Sequence, residues 1–303
     1  MPQKKEILKV KNCVICNKKG KLFFREKYTD KIFKDFFSNF YGKSKSKSLI
    51  KRLKKINFEL LKCNSCEFVW QKNQPINSFA NNLYSKIIDD KKSFLKSKKI
   101  FRENRNKFNN ELNLICNSLK KKRLKVLDYG AGWGAWIRSI KLENVNLYAY
   151  ELSNKRNRFL KKFNINVLDY KKIKLKKNEF DYIRLEQVLE HLPDLDKCLK
   201  LIKIISTKDI IIDISVPNGK KNILNPHIVN IQKGPIQPLE HINCFSNKSL
   251  KKLFANYGFR SISIFELFKF YLSNSFFQVS SFKFLIKNIV QNYFSTSIKF
   301  KLK

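Results

Sequence analysis

The sequence predicts an α/β fold in which a doubly wound, mostly parallel sheet is joined to a small N-terminal metal-binding module. From Leu124 onward, short apolar segments of strand composition alternate with segments of helical periodicity, the order that builds a parallel sheet. Near the N-terminus stand two Cys-x-x-Cys pairs, Cys13 with Cys16 and Cys63 with Cys66. With 303 residues, 43% of them hydrophobic, the chain is long enough for one full α/β domain and a smaller module.

The predicted strands and helices alternate along the chain. Strands are predicted over 125–129, 147–151, 165–169, 180–185, 209–216 and 259–267, and helices over 133–142, 153–163, 195–205 and 247–257. The segment from Leu267 to Lys303 is predicted to supply a last strand and an extension rich in Phe and Lys.

A glycine-rich turn follows the first of these strands, in Val126-Leu-Asp-Tyr-Gly-Ala-Gly-Trp-Gly134, and the next strand ends on an acid in Leu147-Tyr-Ala-Tyr-Glu151. Gly130 and Gly132 allow the backbone to turn sharply and to approach a ligand closely. A carboxylate at the end of the second strand can accept hydrogen bonds from both hydroxyls of a ribose. Ala135 occupies the place of the third glycine of a dinucleotide fingerprint, so a nucleoside is favoured over a pyrophosphate.

Two further segments follow in order, Phe180-Asp-Tyr-Ile-Arg-Leu-Glu-Gln-Val-Leu-Glu-His-Leu-Pro193 and Pro238-Leu-Glu-His-Ile-Asn-Cys-Phe-Ser246. Together with the glycine turn they resemble the class I S-adenosylmethionine-dependent methyltransferases, over roughly residues 124 to 260. The resemblance implies a Rossmann-like methyltransferase sheet with an antiparallel last strand, and S-adenosylmethionine as cofactor.

The resemblance also implies which residues bind the cofactor. It places Asp128, Gly130 and Gly132 at the methionine end and Glu151 on the ribose. Asp169 matches the acid that often meets the adenine amino group, but a helix N-cap explains it equally well. Glu186 lies at the carboxyl edge of the sheet, where open α/β folds bind ligands.

Histidines and a glutamate are the candidates for catalysis. His241 follows Glu240 on a predicted loop; a neutral imidazole is a suitable general base near pH 7, and the adjacent acid could orient it. His191, next to Glu190, could act as a base or tie down its own loop, and a purely structural role stays open for His241 as well. His227 has no supporting pattern and is predicted to be solvated.

The four cysteines can complete a tetrahedral thiolate zinc site, which would be structural because four thiolates leave no position for a substrate. Nearby Lys and Arg favour the thiolate form. Between the pairs, Lys27–Lys55 is predicted as a helix followed by a flexible loop over Gly42–Ser48, an insertion that costs little in loop closure. Redox or incidental cysteine pairs remain the alternative.

Many bacterial methyltransferases of small-molecule and glycan pathways begin with a four-cysteine ribbon followed by a Pro and a Tyr. The segment after Cys63, with Pro75 and Tyr84, resembles that junction. We therefore expect a zinc-ribbon-like module over 1–84, a helical linker that covers the cofactor over 85–122, and a methyltransferase domain over 123–303.

The charge is strongly positive: 64 basic and 24 acidic residues give +40. Such a charge suggests RNA or an acidic membrane surface as partner. The basic residues are mostly Lys and are spread over the whole chain, whereas phosphate readers usually favour Arg, so nucleic acid is not the favoured partner. The C-terminal Phe276, Phe277, Phe282 and Phe284 with Lys299–Lys303 could contact a membrane surface, although a core role is favoured.

The N-terminus lacks the apolar region of a signal peptide, and no apolar run of 18 residues occurs, so a cytoplasmic location is predicted. The favoured function is methyl transfer to a small molecule, nucleotide sugar or glycan. In sugar C-methyltransferases a Tyr precedes a similar Glu-His pair; Pro238 stands there, which favours O-methylation. The alternatives are a zinc-ribbon rRNA methyltransferase and a non-catalytic adaptor on a degenerate fold.

Overall fold

The computed structural model describes residues 6–82, 90–219, 235–272 and 279–303. The chain divides into two compact units. The N-terminal unit consists of Met1–Asp90, Leu189–Asp196 and Val216–Leu253, and the sheet unit of Lys91–Val188, Lys197–Ser215 and Phe254–Lys303. Two segments from later in the chain therefore belong to the N-terminal unit. The domain boundaries predicted from the sequence, at residues 84 and 122, do not assign them to it.

The secondary structure elements are numbered in chain order. The strands are β1 (Ile7–Lys9), β2 (Lys21–Lys27), β3 (Asn57–Lys62), β4 (Val69–Gln71), β5 (Asn73–Pro75), β6 (Leu124–Tyr129), β7 (Val145–Tyr150), β8 (Asn166–Leu168), β9 (Phe180–Glu186), β10 (Ser206–Ser215), β11 (Asn243–Cys244), β12 (Phe259–Ser261) and β13 (Ser297–Leu302). The α-helices are α1 (Lys31–Tyr41), α2 (Lys43–Leu53), α3 (Asn77–Asn82), α4 (Asp90–Leu119), α5 (Asn154–Leu160), α6 (Tyr170–Lys174), α7 (Leu195–Ile205), α8 (Asn247–Ala255), α9 (Ile264–Leu272) and α10 (Val279–Phe294).

In the N-terminal unit, an antiparallel sheet of order β11-β4-β3-β2 packs with α1 and α2 around an aromatic core, and β1 pairs with β5. Helix α1 carries Phe33, Phe36 and Phe37 at helical spacing, and all three are buried. The Tyr28 ring stacks on Phe37 and meets Phe33 edge on. This aromatic cluster gives the small unit a core of its own.

The predicted flexible loop over Gly42–Ser48 is wrong, because these residues begin helix α2. Gly42, with φ of +85°, separates α1 from α2. Leu49 and Leu53 lie one turn apart and are buried, which is enough to fold a lysine-rich segment onto the core. The alternating Lys and Ser residues concealed this narrow apolar stripe.

The sheet unit contains a seven-stranded sheet of order β12-β13-β10-β9-β6-β7-β8, counted over the described residues. Strands β10, β9, β6, β7 and β8 run parallel, and β13 pairs antiparallel with both β10 and β12. Leu124, Val126 and Leu127 of β6 are fully buried, as expected for a strand covered on both faces. The predicted α/β fold, mostly parallel with an antiparallel last strand, is confirmed.

Most predicted elements of this sheet are present with small shifts of their ends, but two are wrong. The predicted helix 133–142 is reduced to a single 3₁₀ turn at Ile137–Ser139. Gly134, with φ of +71°, cannot belong to a right-handed helix, and Ile140 is already extended.

The predicted strand 259–267 ends at Ser261, because Ser263 starts helix α9. The Ser263 hydroxyl accepts from the Glu266 N–H, and a Glu266 carboxylate oxygen accepts from the Ser263 N–H. This reciprocal pair is a capping box, whose Ser-x-x-Glu pattern is visible in the sequence.

Helix α4 confirms the helical periodicity predicted for the lysine-rich segment after residue 85. None of the helices in the described parts of the chain is long and apolar enough to cross a membrane. Tyr84, His227, Phe276 and Phe277 lie outside the described residues, as do the side chains of Phe282 and Phe284.

Candidate functional site

The glycine turn of the sheet unit has the geometry of a ligand cradle. Gly130, Gly132 and Gly134 all have positive φ, at +81°, +56° and +71°. A Cβ on Gly130 would lie 2.6 Å from Val188 Cγ2, and one on Gly134 would lie 2.4 Å from Leu160 Cδ2. A Cβ on Gly132 meets nothing within 4 Å, so the backbone there borders open space.

Glu151 holds this turn in place. Its Oε2 accepts from the Gly132 N–H at 2.9 Å, and its Oε1 accepts from the Ser153 N–H at 2.8 Å. Arg156 Nη1 lies 3.8 Å from Oε2. Because each carboxylate oxygen can accept two hydrogen bonds, both retain capacity for a further donor.

A cavity of about 670 Å³ lies in the sheet unit, within the range of small-molecule sites. Four of the predicted cofactor residues line it: Asp128, Gly130, Gly132 and Glu186. Glu151 is not one of the lining residues, but its carboxylate accepts from the N–H of Gly132, which is. Asp169 does not line it either; its carboxylate accepts from the Lys172 N–H at 2.8 Å and caps α6.

Helix α4 and two tryptophans form the apolar part of the cavity wall. Trp133 and Trp136 line it, together with Phe108 of α4. Trp133 Nε1 donates to Ser93 Oγ at 2.8 Å, and the Phe94 ring packs edge on against the Trp133 ring. Helix α4 therefore contributes directly to the candidate site, through contacts within the sheet unit.

Arg184, whose role the sequence did not reveal, organises the charges in this cavity. Its guanidinium lies 3.8 Å from Asp128 Oδ1 and 3.3 Å from Glu186 Oε2, and it stacks over the Trp136 ring at 5.0 Å. Burial raises the pKa of Asp128 to about 6, against the opposing effect of Arg184. The available signal was an arginine between the apolar Ile183 and Leu185 near the end of β9.

A second polar group lines the same cavity. Lys299 Nζ lies 2.6 Å from Asp213 Oδ2, to which the Tyr182 hydroxyl donates at 2.8 Å. Burial raises the pKa of Asp213, but the attraction and hydrogen bond of Lys299, together with Arg184 and the Tyr182 hydroxyl, lower it overall. Glu111 of α4 lies 3.9 Å from Lys299 and 3.7 Å from Lys287.

The four predicted zinc ligands come together in the N-terminal unit. Their sulfur atoms lie within 4.8 Å of one another, with Cys13 Sγ and Cys66 Sγ 3.6 Å apart. The two knuckles share one backbone design. The N–H of Asn17 donates to Cys13 O and that of Glu67 to Cys63 O, and both donor residues have positive φ.

The hydrogen bond between Cys13 and Cys66 shifts the pKa values of the two thiols in opposite directions, and this bond together with burial raises the pKa of Cys66 well above its ordinary value. The hydrogen bond from Cys66, assisted by the backbone N–H groups of Ile15 and Cys16, lowers the pKa of Cys13 to about 5. The pKa of Lys252 is raised, first by its hydrogen bond with Cys16. Such a set of sulfurs fits a tetrahedral zinc ion.

The predicted catalytic residues also lie in the N-terminal unit. The rings of His191 and His241 are in edge-to-face contact, with centroids 4.6 Å apart. Burial lowers the pKa of His191 to about 4 and that of His241 to about 3, so both imidazoles are neutral at pH 7. The Glu240 carboxylate accepts a hydrogen bond from the Tyr41 hydroxyl, and its backbone oxygen lies 3.1 Å from His191 Nδ1.

Comparison with known proteins gives a family for the chain. Residues 98–264, more than half of the chain, match the sequence pattern of a family described as a methyltransferase domain. No curated protein matches the chain.

Among solved structures, an S-adenosylmethionine-dependent methyltransferase from Aquifex aeolicus is similar, with 18% identity, a TM-score of 0.41, and coverage of 56% of this chain and 90% of that chain. The YcgJ protein from Bacillus subtilis is also similar, with 13% identity, a TM-score of 0.40, and coverage of 63% and 93%. On the family match over residues 98–264, the chain belongs to the methyltransferase-domain family and is an S-adenosylmethionine-dependent methyltransferase.

Proposed function

We propose that the enzyme holds its cofactor at the glycine turn and methylates an oxygen of a nucleotide-linked sugar or glycan intermediate. The observation that carries the proposal is the cavity at this turn, which combines an open glycine backbone, two tryptophans and a surplus of basic side chains. When bound, S-adenosylmethionine supplies a methyl group already activated by its sulfonium. The protein then has to bind the cofactor and the acceptor, align the acceptor oxygen with the methyl group, and remove a proton from that oxygen.

The residues at the turn fit this cofactor. The backbone at Gly132 borders open space, and Glu151 retains acceptor capacity for ribose hydroxyls. Asp128, whose buried carboxylate lines the cavity, suits a cationic group of the methionine end, because a nearby positive charge favours the ionised acid. Glu186 at the end of β9 and Asp169, which follows β8, complete the proposed cofactor set.

Replacing Glu151 with glutamine is expected to weaken cofactor binding by about 1–3 kcal/mol, because a charged acceptor is lost from the ribose site and from the Gly132 N–H. Calorimetry with S-adenosylmethionine measures the change. The exposed Glu143 of the same unit provides the control, since Glu143→Gln should bind as wild type does. Equal affinity of Glu151→Gln and wild type would reject the assignment of Glu151.

The charges of the cavity favour an anionic acceptor. Six basic side chains line it, against four acidic ones. The basic set is Lys96, Lys107, Arg156, Arg184, Lys287 and Lys299. Phosphates of a nucleotide-linked sugar would find charge-assisted hydrogen bonds here. We also place an acceptor contact on the loop after Val216-Pro-Asn218, most of which lies outside the described residues.

The acceptor class can be tested by offering labelled cofactor with nucleotide sugars and, separately, with bulk rRNA. We expect label in the nucleotide sugars, and RNA association that is weak and unspecific. The net charge of +40 supports RNA as the second candidate. If RNA is the acceptor, label appears only in RNA, and RNA affinity falls steeply with ionic strength because phosphate contacts release counterions.

The proposal gives His241 the role of proton acceptor, with Glu240 and His191 supporting it. A neutral imidazole has a free lone pair for a hydroxyl proton. Glu240 would act through position, because its carboxylate is bound to Tyr41. The low pKa of His241 makes it a weak base in the resting enzyme. It can take the proton only as the acceptor oxygen gains positive charge from the incoming methyl group and its hydroxyl becomes more acidic.

The four cysteines are proposed to bind one structural zinc ion. The close approach of four sulfurs and the matched knuckles support this assignment. Zinc would link the turn that carries Cys13 and Cys16, before β2, to the turn that carries Cys63 and Cys66, between β3 and β4. It would thereby stabilise the sheet of the N-terminal unit.

A further inference from the structure

We infer that Glu190, His191 and His241 form a second metal site in the N-terminal unit, which binds a divalent first-row ion such as Zn²⁺. One ligand atom from each of the three residues lies within 4.8 Å of the other two. Two imidazoles and a carboxylate are a recurrent ligand set for zinc and for ferrous iron, with further positions left open. The inference concerns residues other than the four cysteines.

Hydrogen bonds to two backbone carbonyls determine which nitrogen of each ring carries the proton. His191 Nδ1 faces Glu240 O at 3.1 Å and must donate, so its Nε2 holds the lone pair. The His241 ring bonds the backbone of Pro235, while its Nδ1 is buried with no hydrogen-bond partner among the described residues. Nε2 of His241 therefore donates to Pro235, and Nδ1 holds the lone pair.

Both lone pairs are thus on the ring nitrogens that do not face a carbonyl. Metal-ligating histidines show the same arrangement, with the second nitrogen held by a backbone carbonyl or a carboxylate. His191 Nε2 lies 4.0 Å from Glu190 Oε1, and the Glu190 side chain is fully buried.

The backbone around the three ligands is held firmly. The Ile242 N–H donates to Glu190 O at 2.8 Å, and Asn243 Nδ2 donates to Leu189 O and Leu192 O. The turn that carries His241 is tied to β4, because Gln71 Nε2 donates to His241 O at 2.9 Å. Preorganisation of this kind lowers the cost of ordering ligands when an ion binds.

The three ligand atoms have to move closer together to bind a zinc ion. Ligand atoms of a tetrahedral zinc ion with bonds of ~2.0–2.1 Å lie about 3.3 Å apart. His191 Nε2 and Glu190 Oε1 are 4.0 Å apart, and the three ligand atoms lie within 4.8 Å of one another, so side-chain rotations have to bring them up to ~1.5 Å closer. His191 and His241 are partly exposed as residues, whereas Glu190 and the Nδ1 atom of His241 are buried.

The test uses the full-length protein, with the four cysteines intact, saturated with Zn²⁺ and freed of excess metal. Elemental analysis should give about two ions per chain for wild type, and about one for Glu190→Gln and for His241→Gln. Glu240→Gln is the matched control: it changes a neighbouring carboxylate that is no ligand, and it should retain both ions. Thermal unfolding checks that each variant is folded.

A second measurement needs no variant. Nitrogen NMR of the imidazoles, recorded as the second equivalent of Zn²⁺ is added, should show coordination shifts at His191 Nε2 and His241 Nδ1. One ion per chain in saturated wild type, or imidazole resonances that do not respond, would overturn the inference. Retention of two ions in folded Glu190→Gln and His241→Gln would overturn it as well.

The metal-binding experiments use neither cofactor nor acceptor. A negative result in them would therefore reject the second metal site without bearing on the proposed methyl transfer. The ion and the hydroxyl proton compete for the same lone pair on His241 Nδ1. A loaded site would therefore withdraw His241 from the role of base, which makes metal a candidate inhibitor of the transfer.

Discussion

Replacing Cys63 with serine is expected to remove the zinc ion of the four-cysteine cluster and to unfold the N-terminal unit. A structural zinc site contributes an apparent ~10–16 kcal/mol, which is comparable with or larger than the whole stability of a typical domain at about 5–15 kcal/mol. A serine hydroxyl is a far weaker ligand than a thiolate. Elemental analysis measures the loss of metal, and hydrogen exchange measures loss of protection in β2, β3 and β4.

The control for this experiment is Cys116→Ser, which alters a buried cysteine of the sheet unit outside the cluster. It should lower stability modestly and retain the metal. A Cys63→Ser protein with full zinc content and a protected N-terminal sheet would show that these cysteines are not the ligands.

Replacing His241 with glutamine is expected to lower turnover by ~10²–10⁴, the usual contribution of a positioned general base. Cofactor affinity should not change, because His241 is not among the residues proposed to bind the cofactor. Initial rates with the acceptor identified by labelling, together with calorimetry for S-adenosylmethionine, separate the two effects.

The exposed Glu143 of the sheet unit supplies the comparison again, and Glu143→Gln should turn over as wild type does. Wild-type turnover in His241→Gln would remove the proton-transfer role and leave the histidine with a structural or metal-binding one. The Glu240→Gln variant is expected to lower turnover less, because its carboxylate contacts Tyr41 and not the imidazole.

Among the features that the sequence predicted, the mostly parallel sheet and its antiparallel last strand are confirmed. These features depend on local pattern: apolar strands, intervening amphipathic helices and turns that need glycine. The cysteine knuckles are also short-range, since each pair is presented by its own turn, and the structure brings the two pairs together. Where local rules were misread, as at Gly134 and at the capping box of Ser263, the error was local too.

The sequence by itself therefore determined the fold class, the glycine turn and the family. Tertiary structure alone decided which distant groups meet. The Arg184 ion pairs with Asp128, the Asp213 to Lys299 pair and the bond from Tyr41 to Glu240 join residues far apart in the chain. The turn at Glu190-His191 meets the turn at His241 in the same way. No periodicity encodes such contacts, because they arise only when packing brings separate elements together and burial makes each polar group find a partner.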